Sequence, residues 1–352
     1  MQPNDSRNRR DFLKAGTTLT AGLIALSAMP ASATIPALPK NPATEGAMPT
    51  RNLGKTGYRV GIFSLGGQAA LERPDNAAIA VPIIEKALDL GVNYIDTSSI
   101  YGGPKRWSEQ YIGEVMRKRR GQAFLASKTI QRTKAGSLQM LETSLKLLNT
   151  DYLDLWQLHD IGSDNEVQQI FAKGGAMEAL LQAKDQKMVR FLGITGHFRP
   201  EPLIDCIQRY PFDCILMAVN AADPHHYSFS QELLPLAVEK QMGIIGMKVP
   251  ARGRILNTWT PPSVEAQKHS WEGMAIQTTM PGTLDMRQAM YYALSLPVST
   301  VIVGCDSIPQ LEQNVQLARE FTPYSEKQMA ALVQKVEPVS KQALFFRFYQ
   351  HA

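Results

Sequence analysis

Eight apolar runs of four to seven residues recur along this chain, with amphipathic helical stretches between them. That alternation restricts the fold to a parallel sheet covered by crossover helices. The runs are Ile62–Leu65, Val92–Ile95, Ala123–Ser127, Tyr152–Leu158, Phe191–Ile194, Cys214–Val219, Gly243–Met247 and Thr300–Val303. Eight strand–helix units in roughly 300 residues fit a closed (β/α)8 TIM barrel of the α/β class better than an open doubly wound sheet. In such a barrel all strand ends open onto one face, where side chains from distant parts of the chain meet.

Helical spacing between the runs supports the same architecture. Leu138, Leu141, Leu145 and Leu148 form one stripe, and Tyr111, Ile112, Val115 and Met116 another. Pro82 is expected at the start of the helix carrying Ile83, Ile84, Ala87 and Leu88, with Gly91 closing it as a left-handed cap. Ahead of the first run, Thr50–Leu53 and Tyr58–Val60 flank Gly54-Lys55-Thr56-Gly57 and read as an N-terminal β-hairpin. The barrel domain is therefore assigned to residues 50–352. Residues 34–49, rich in Ala, Pro and Thr, read as a flexible linker. Ala251–Met280, with Trp259 and Trp271, is long enough for a lid over the strand ends. The terminal Phe345-Phe346-Arg347-Phe348-Tyr349 is either a substrate-gating tail or a helix end packed on the barrel, and Trp107 is a further candidate pocket aromatic.

Residues 1–33 have the pattern of a twin-arginine signal peptide. Arg9-Arg10-Asp11-Phe12-Leu13-Lys14 precedes an apolar stretch too short to span a bilayer, and Ala31-Ser32-Ala33 offers a small-residue cleavage site. The expected partner is the twin-arginine export machinery, the expected location the periplasm, with no stable membrane anchor after cleavage. Removing the segment lowers the formal charge from +5 to +3, too mild an excess to indicate a nucleic-acid partner. The dense run Arg117–Arg120 closes a predicted helix, where cations complement the dipole, and is expected to be solvated. Cys206, Cys214 and Cys305 lack metal-ligand spacing and leave the question of a disulfide open.

Chemistry concentrates at three consecutive strand ends, in Asp96, Tyr101, Lys128 and His159. Reducing a carbonyl requires a hydride on carbon and a proton on oxygen. A tyrosine whose pKa is drawn down by a nearby ammonium can give that proton. Lys128 suits that task, Asp96 would hold it charged and aimed, and His159 could orient the carbonyl. Individually these residues also fit a packed aromatic, a structural ion pair and a satisfied strand-end histidine; the joint arrangement favours a proton-transfer apparatus.

The sequence resembles the aldo-keto reductases. The match is carried by Leu53-Gly54-Lys55-Thr56-Gly57, Leu65-Gly66-Gly67, Asp96-Thr97-Ser98-Ser99-Ile100-Tyr101-Gly102, Ser108-Glu109-Gln110-Tyr111-Ile112-Gly113, Ala126-Ser127-Lys128-Thr129 and Asp151–His159, in that order. The resemblance implies reduction of a small-molecule carbonyl (aldehyde, ketone or sugar) to an alcohol. Tyr101 would be the general acid, tuned by Lys128 and Asp96, and NADP(H) the cofactor. Carried over position by position, it also implies cofactor contacts from Gly66, Thr195, Asn220, Lys248, Arg252, Gly304, Ser307, Gln310, Gln313 and Asn314.

The second half departs from the family pattern. Gly196 stands where an asparagine usually holds the nicotinamide carboxamide, Leu216 where a glutamine is usual, and Lys248 where an aromatic normally stacks on the ring. Lys248, Arg252 and Arg254 are expected to grip a pyrophosphate, with pairing to nearby acids as the alternative. Gly304 and Gln310 replace the cations that usually clasp a 2′-phosphate, and Asp306 adds a negative charge, so NAD(H) stays open beside NADP(H). Export raises the further alternatives of a barrel that binds a carbonyl metabolite or sugar without turnover, and of an isomerase or lyase using Tyr101 and Lys128.

Overall fold

A computed structural model describes residues 34–269, 276 and 278–348. The paired arginines of the leader, Trp271 and Tyr349 lie outside the described residues. Eight parallel strands close into a barrel: β3 (Phe63–Gly66), β4 (Tyr94–Asp96), β5 (Phe124–Thr129), β6 (Leu153–Leu158), β7 (Val189–Gly196), β8 (Cys214–Ala218), β9 (Gly243–Met247) and β10 (Thr300–Val303). β10 closes the ring by pairing with both β3 and β9. The short antiparallel pair β1 (Thr50–Asn52) and β2 (Arg59–Gly61) is the expected hairpin.

Alternation along the strands decides which residues share the barrel interior. Tyr94 pairs in register with Phe124, and their rings stack at 5.4 Å; Phe124 stacks in turn on Phe191 at 6.0 Å. Tyr58, beside the hairpin, tilts onto Phe124 at 4.7 Å and donates its hydroxyl to Asn93 O, so the hairpin plugs the barrel floor. Its turn must contain glycine: Gly54 has φ +54°, and a Cβ there would lie 2.2 Å from Gly243 N. Two residues up from Tyr94 and four up from Phe124, the same inward face carries Asp96 and Lys128, which places both above the aromatic floor.

Three local expectations are corrected. Pro82 lies inside the helix Ala77–Asp89 rather than at its start; the flanking turns and a buried face of Ala80, Ile83, Ile84, Ala87 and Leu88 hold the helix together despite the missing amide. The segment read as a flexible linker is packed on the barrel. Asn41 donates to Leu88 O and Val92 O, Thr44 donates to Gly91 O, and Ala47 and Met48 are buried. Arg120, expected in solvent, instead turns inward to the buried carboxylate of Asp154 at 2.8 Å, with its guanidinium 4.1 Å from the Tyr152 ring. Asp154 also receives Arg190 and the Leu125 amide, so two cations and an N–H compensate its burial. Arg119 behaves as a helix-end cation, paired with Asp89.

The C-terminal segment crosses to the open end of the barrel and is buried there. Arg347 is ion-paired with Asp223 and donates to the carbonyls of Ala218, Asp223 and His226. Asp223 in turn accepts from Ser228, Ser230 and the Phe229 amide. Gln342 ties the same segment to Arg254 O and Met280 O, at the two ends of the long connection after β9. The three cysteines are free and buried. Among the described residues, no helix is long and apolar enough to cross a membrane.

Candidate active site

Three consecutive strand ends gather the chemical groups at the mouth of the barrel. Asp96 ends β4, Lys128 lies in β5 opposite Gln157 of β6, and His159 follows β6 directly. Lys128 is fully buried and donates both to Asp96 Oδ2 and to Thr97 O. Its Nζ lies 5.0 Å from the centroid of the Tyr101 ring. Tyr101 is placed by the tight turn after β4, where its amide donates to Ser98 O and Gly102 and Gly103 take positive φ. The His159 ring meets Tyr101 edge-on at 5.9 Å. The structure thus brings together in one cluster the four residues singled out in the sequence.

Burial dominates the electrostatics of this cluster. It raises the Asp96 pKa against the lowering effect of Lys128, and it lowers Lys128 against the raising effect of Asp96. Tyr101 is pushed well above the ordinary phenol value, first by burial and then by the charge of Asp96. This corrects the expectation of a depressed tyrosine pKa. Lys128 lies over the ring, and burial holds the phenol in the protonated form that a proton donor requires. His159 is kept well below 6.5, first by burial and then by Lys128, and is neutral.

Ser98 was not singled out from the sequence. Its hydroxyl is fully buried, with His159 Nδ1 as its hydrogen-bond partner at 3.0 Å. A buried hydroxyl places its proton on an available acceptor, so Ser98 donates to Nδ1 and His159 carries its own proton on Nε2. The Asp160–His197 pair was also missed: His197 Nδ1 is 2.6 Å from Asp160 Oδ1, and the His197 ring lies 6.3 Å from that of His159. A strand-end His followed by an acid was the available sequence signal; their partner is 37 residues on, beyond any local pattern.

The residues expected to hold a cofactor divide into two groups. At the end facing the tetrad, several are already engaged. Thr195 Oγ1 accepts from the Asp160 amide at 3.1 Å, and Asn220 is tied to Lys248 O and the Ala222 amide. Gly196 has a steric reason: a Cβ there would lie 2.8 Å from Ile161 O and from Leu203, which leaves no room for the usual asparagine. Leu216 is buried and apolar.

The outer end fits an anionic dinucleotide. Lys248 reaches Gln68 at 3.2 Å and Arg252 reaches Glu72 at 3.3 Å, contacts long enough for a phosphate to compete for both cations. Positive φ at Lys248, Ala251, Arg252 and Gly253 curls the backbone around them. Of the two expected partners, the nearby acid is the one seen, with Arg252 paired to Glu72. Arg254 is excluded from this group: it is buried beneath Phe345 at 4.5 Å and Trp259 at 5.3 Å.

Across the mouth, Gly66 and Gly304 bring the loops after β3 and β10 together; a Cβ on Gly66 would lie 3.0 Å from Gly304 N. Ser307 caps the helix Ile308–Arg319 by accepting from the Gln310 amide, and Gln310 accepts from the Asp306 amide. Gln313 is exposed on that helix, while Asn314 turns inward to Cys305 Sγ at 3.5 Å. Asp306 does not stand alone: Arg73 pairs with it at 2.7 Å and brings to this rim a cation not anticipated from the sequence. Trp107, a candidate pocket aromatic, stacks on Tyr111 at the start of its own helix.

Comparison with known proteins gives a consistent result. The model of the aldo/keto reductase family matches residues 59–337. The chain is 26% identical over 295 residues to the uncharacterized oxidoreductase YqkF of Bacillus subtilis, covering 77% of this chain and 91% of that protein. It is 27% identical over 303 residues to L-galactose dehydrogenase of Arabidopsis thaliana, covering 77% and 88%. Among solved structures, the holo form of an aldo-keto reductase from Bacillus halodurans superimposes with a TM-score of 0.64 at 26% identity, covering 82% of this chain and 96% of that one.

Proposed function

Because the chain belongs to the aldo/keto reductase family, we propose that Tyr101 is its proton donor, with Lys128, Asp96, His159 and Ser98 holding donor and carbonyl in place. The protein is an NAD(P)H-dependent oxidoreductase that reduces a small-molecule carbonyl to an alcohol. The observation that carries the assignment of roles is the packing of the Tyr101 phenol between the buried Lys128 and the His159 ring.

The nicotinamide cofactor supplies the hydride to the carbonyl carbon. The rest is done by this chain. His159 donates Nε2–H to the carbonyl oxygen and fixes its direction, while Ser98 fixes the tautomer that makes this donation available. As charge builds on that oxygen, the Tyr101 proton moves onto it. The Lys128 ammonium over the ring then balances the phenolate left behind, and Asp96 keeps Lys128 in position. The C-terminal segment, tied to Arg254 O, Met280 O and Asp223, packs at this end of the barrel and limits the access of water.

The pH dependence follows from these directions. Protonating His159 would set its Nδ1 against Ser98, but burial holds it neutral below the ordinary value of 6.5, so the acid limb of kcat/KM is expected under that value. Tyr101 loses its proton only above the ordinary 10.0, so the alkaline limb is expected beyond it. A pH–rate profile that is flat between those limits is the expected result. An alkaline limb near neutrality would show that Lys128 draws the phenol down after all.

For the cofactor, Lys248 and Arg252 are suited to the pyrophosphate, and Ser307, Gln310, Gln313 and Asn314 to the adenosine end. Our reading favours NADP(H) over NAD(H): Arg73, held by Asp306, supplies a cation that a 2′-phosphate could draw away. We further read residues 1–33 as an export leader that delivers an already folded enzyme to the periplasm with its nucleotide aboard. Protein recovered after native export and then denatured should release a stoichiometric nicotinamide nucleotide, identified by chromatography as NADP(H). Absence of any nucleotide, with no binding of NADPH or NADH in titration, would sink the reading of a retained cofactor.

A further inference from the structure

The second imidazole at the mouth has no part in the proton transfer described above, yet its surroundings fix it as firmly as the first. Asp160 has φ +55°, and several bonds hold its turn. Its amide donates to Thr195 Oγ1, the Ile161 amide donates to Thr195 O, and Arg132 donates to both His159 O and Asp160 O while pairing with Glu166. This turn aims the Asp160 carboxylate at His197 Nδ1, 2.6 Å away. A carboxylate only accepts, so Nδ1 is the donor, and in the neutral ring Nε2 carries a lone pair. Nε2 has no hydrogen bond among the described residues, and the ring sits between those of His159 at 6.3 Å and Phe346 at 6.0 Å. Burial first, and then Lys248 and Lys128, oppose protonation of His197, against the raising effect of Asp160.

The two rings, 6.3 Å apart, therefore carry opposite polarity at Nε2. Ser98 leaves His159 an N–H donor, and Asp160 leaves His197 an acceptor. A carbonyl oxygen accepts, and a hydroxyl on the neighbouring carbon donates; hydrogen bonds of about 2.9 Å from the two rings can span such a pair of oxygens. We propose that His197, positioned by Asp160, reads a substrate hydroxyl adjacent to the carbonyl, so that the preferred substrates of this reductase are 2-hydroxy aldehydes and ketones. This rests on the reductase reading given above. A site built to bond a hydroxyl disfavours the analogue without one, because the half-buried acceptor then loses its partner.

The test compares 2-hydroxypropanal with propanal, which differ by that hydroxyl alone, using the full chain supplied with NADPH. The kcat/KM ratio is expected to favour the hydroxylated aldehyde by about ten- to a hundred-fold. His197→Phe should bring the ratio to within about three-fold of unity, the remainder reflecting the more electrophilic carbonyl. His197→Gln, whose amide oxygen can reach the place of Nε2, should recover much of the preference. Asp160→Asn tolerates the same left-handed backbone but no longer imposes the tautomer, and should give an intermediate ratio. Calorimetric binding of the two aldehydes reads the same preference without turnover. Absence of turnover on either aldehyde, with the binding preference kept, would therefore count against the reductase reading alone. A ratio that His197→Phe leaves unchanged, or equal binding of both aldehydes by the unmodified protein, would overturn the role of His197.

Discussion

Tyr101→Phe is expected to lower kcat for carbonyl reduction by about 10²- to 10⁴-fold, the range supplied by a positioned general acid. NADPH affinity should stay within a factor of two or so. The phenol ring packs edge-on against His159 and under the Lys128 ammonium, and phenylalanine keeps both contacts while removing the proton. The cations suited to the nucleotide, Lys248 and Arg252, hydrogen-bond to Gln68 and Glu72, so the deletion should leave their geometry unchanged. Stopped-flow hydride transfer and fluorescence titration separate the two effects. Full activity in the variant would show that the proton comes from elsewhere. A matching loss of nucleotide affinity would show that Tyr101 supports the binding site rather than the chemistry.

Lys128→Met is expected to lower stability by about 3–5 kcal/mol near pH 8, because it strips a buried carboxylate of its partner. Asp96 and Lys128 are both buried and paired, and Thr97 O uses a second ammonium proton. The deficit should depend on pH, with a definite sign. Burial already raises the folded Asp96 pKa above 3.8 while Lys128 pulls it down, so removing the lysine raises it further. A folded pKa above the unfolded one means that the native state binds the proton more readily. The variant should therefore regain stability as pH falls through the folded value, the gain being complete near 3.8. Urea unfolding of both proteins across that range measures it. A deficit constant with pH would assign the loss to packing rather than to the uncompensated charge.

The barrel was legible because its strands are apolar on both faces and each chain reversal carries its own signal. Even the strand ends agree to within a few residues, as with the run Gly243–Met247 and β9. The acid, phenol, amine and imidazole were legible for the same reason, since each lies at the end of a strand or just after one. What escaped depends on partners far away in sequence. Residues 34–49 look like a linker by composition, yet backbone carbonyls at Leu88, Gly91 and Val92 hold Asn41 and Thr44. Arg120 belongs to a solvated helix end by pattern and to Asp154 by geometry. The tyrosine pKa was misjudged because the sequence places Lys128 near Tyr101 without showing that it lies over the ring. Gly196 appeared as a lost ligand, and only the approach of Ile161 O shows it to be a steric requirement.

The two ends of the described chain lie on opposite faces of the barrel. Lys40 donates its amide to Gly121 O, and Arg190 reaches Pro36 O, all where strands begin. At the other end Phe346 meets His197, and Arg347 is locked to Asp223 where strands finish. Any polypeptide fused ahead of residue 34 emerges at the floor, remote from the reacting groups. The described chain finishes on the other face, at residue 348, beside Phe346 and Arg347. The molecule thus has a handling end and a working end, and an affinity tag or reporter belongs on the first.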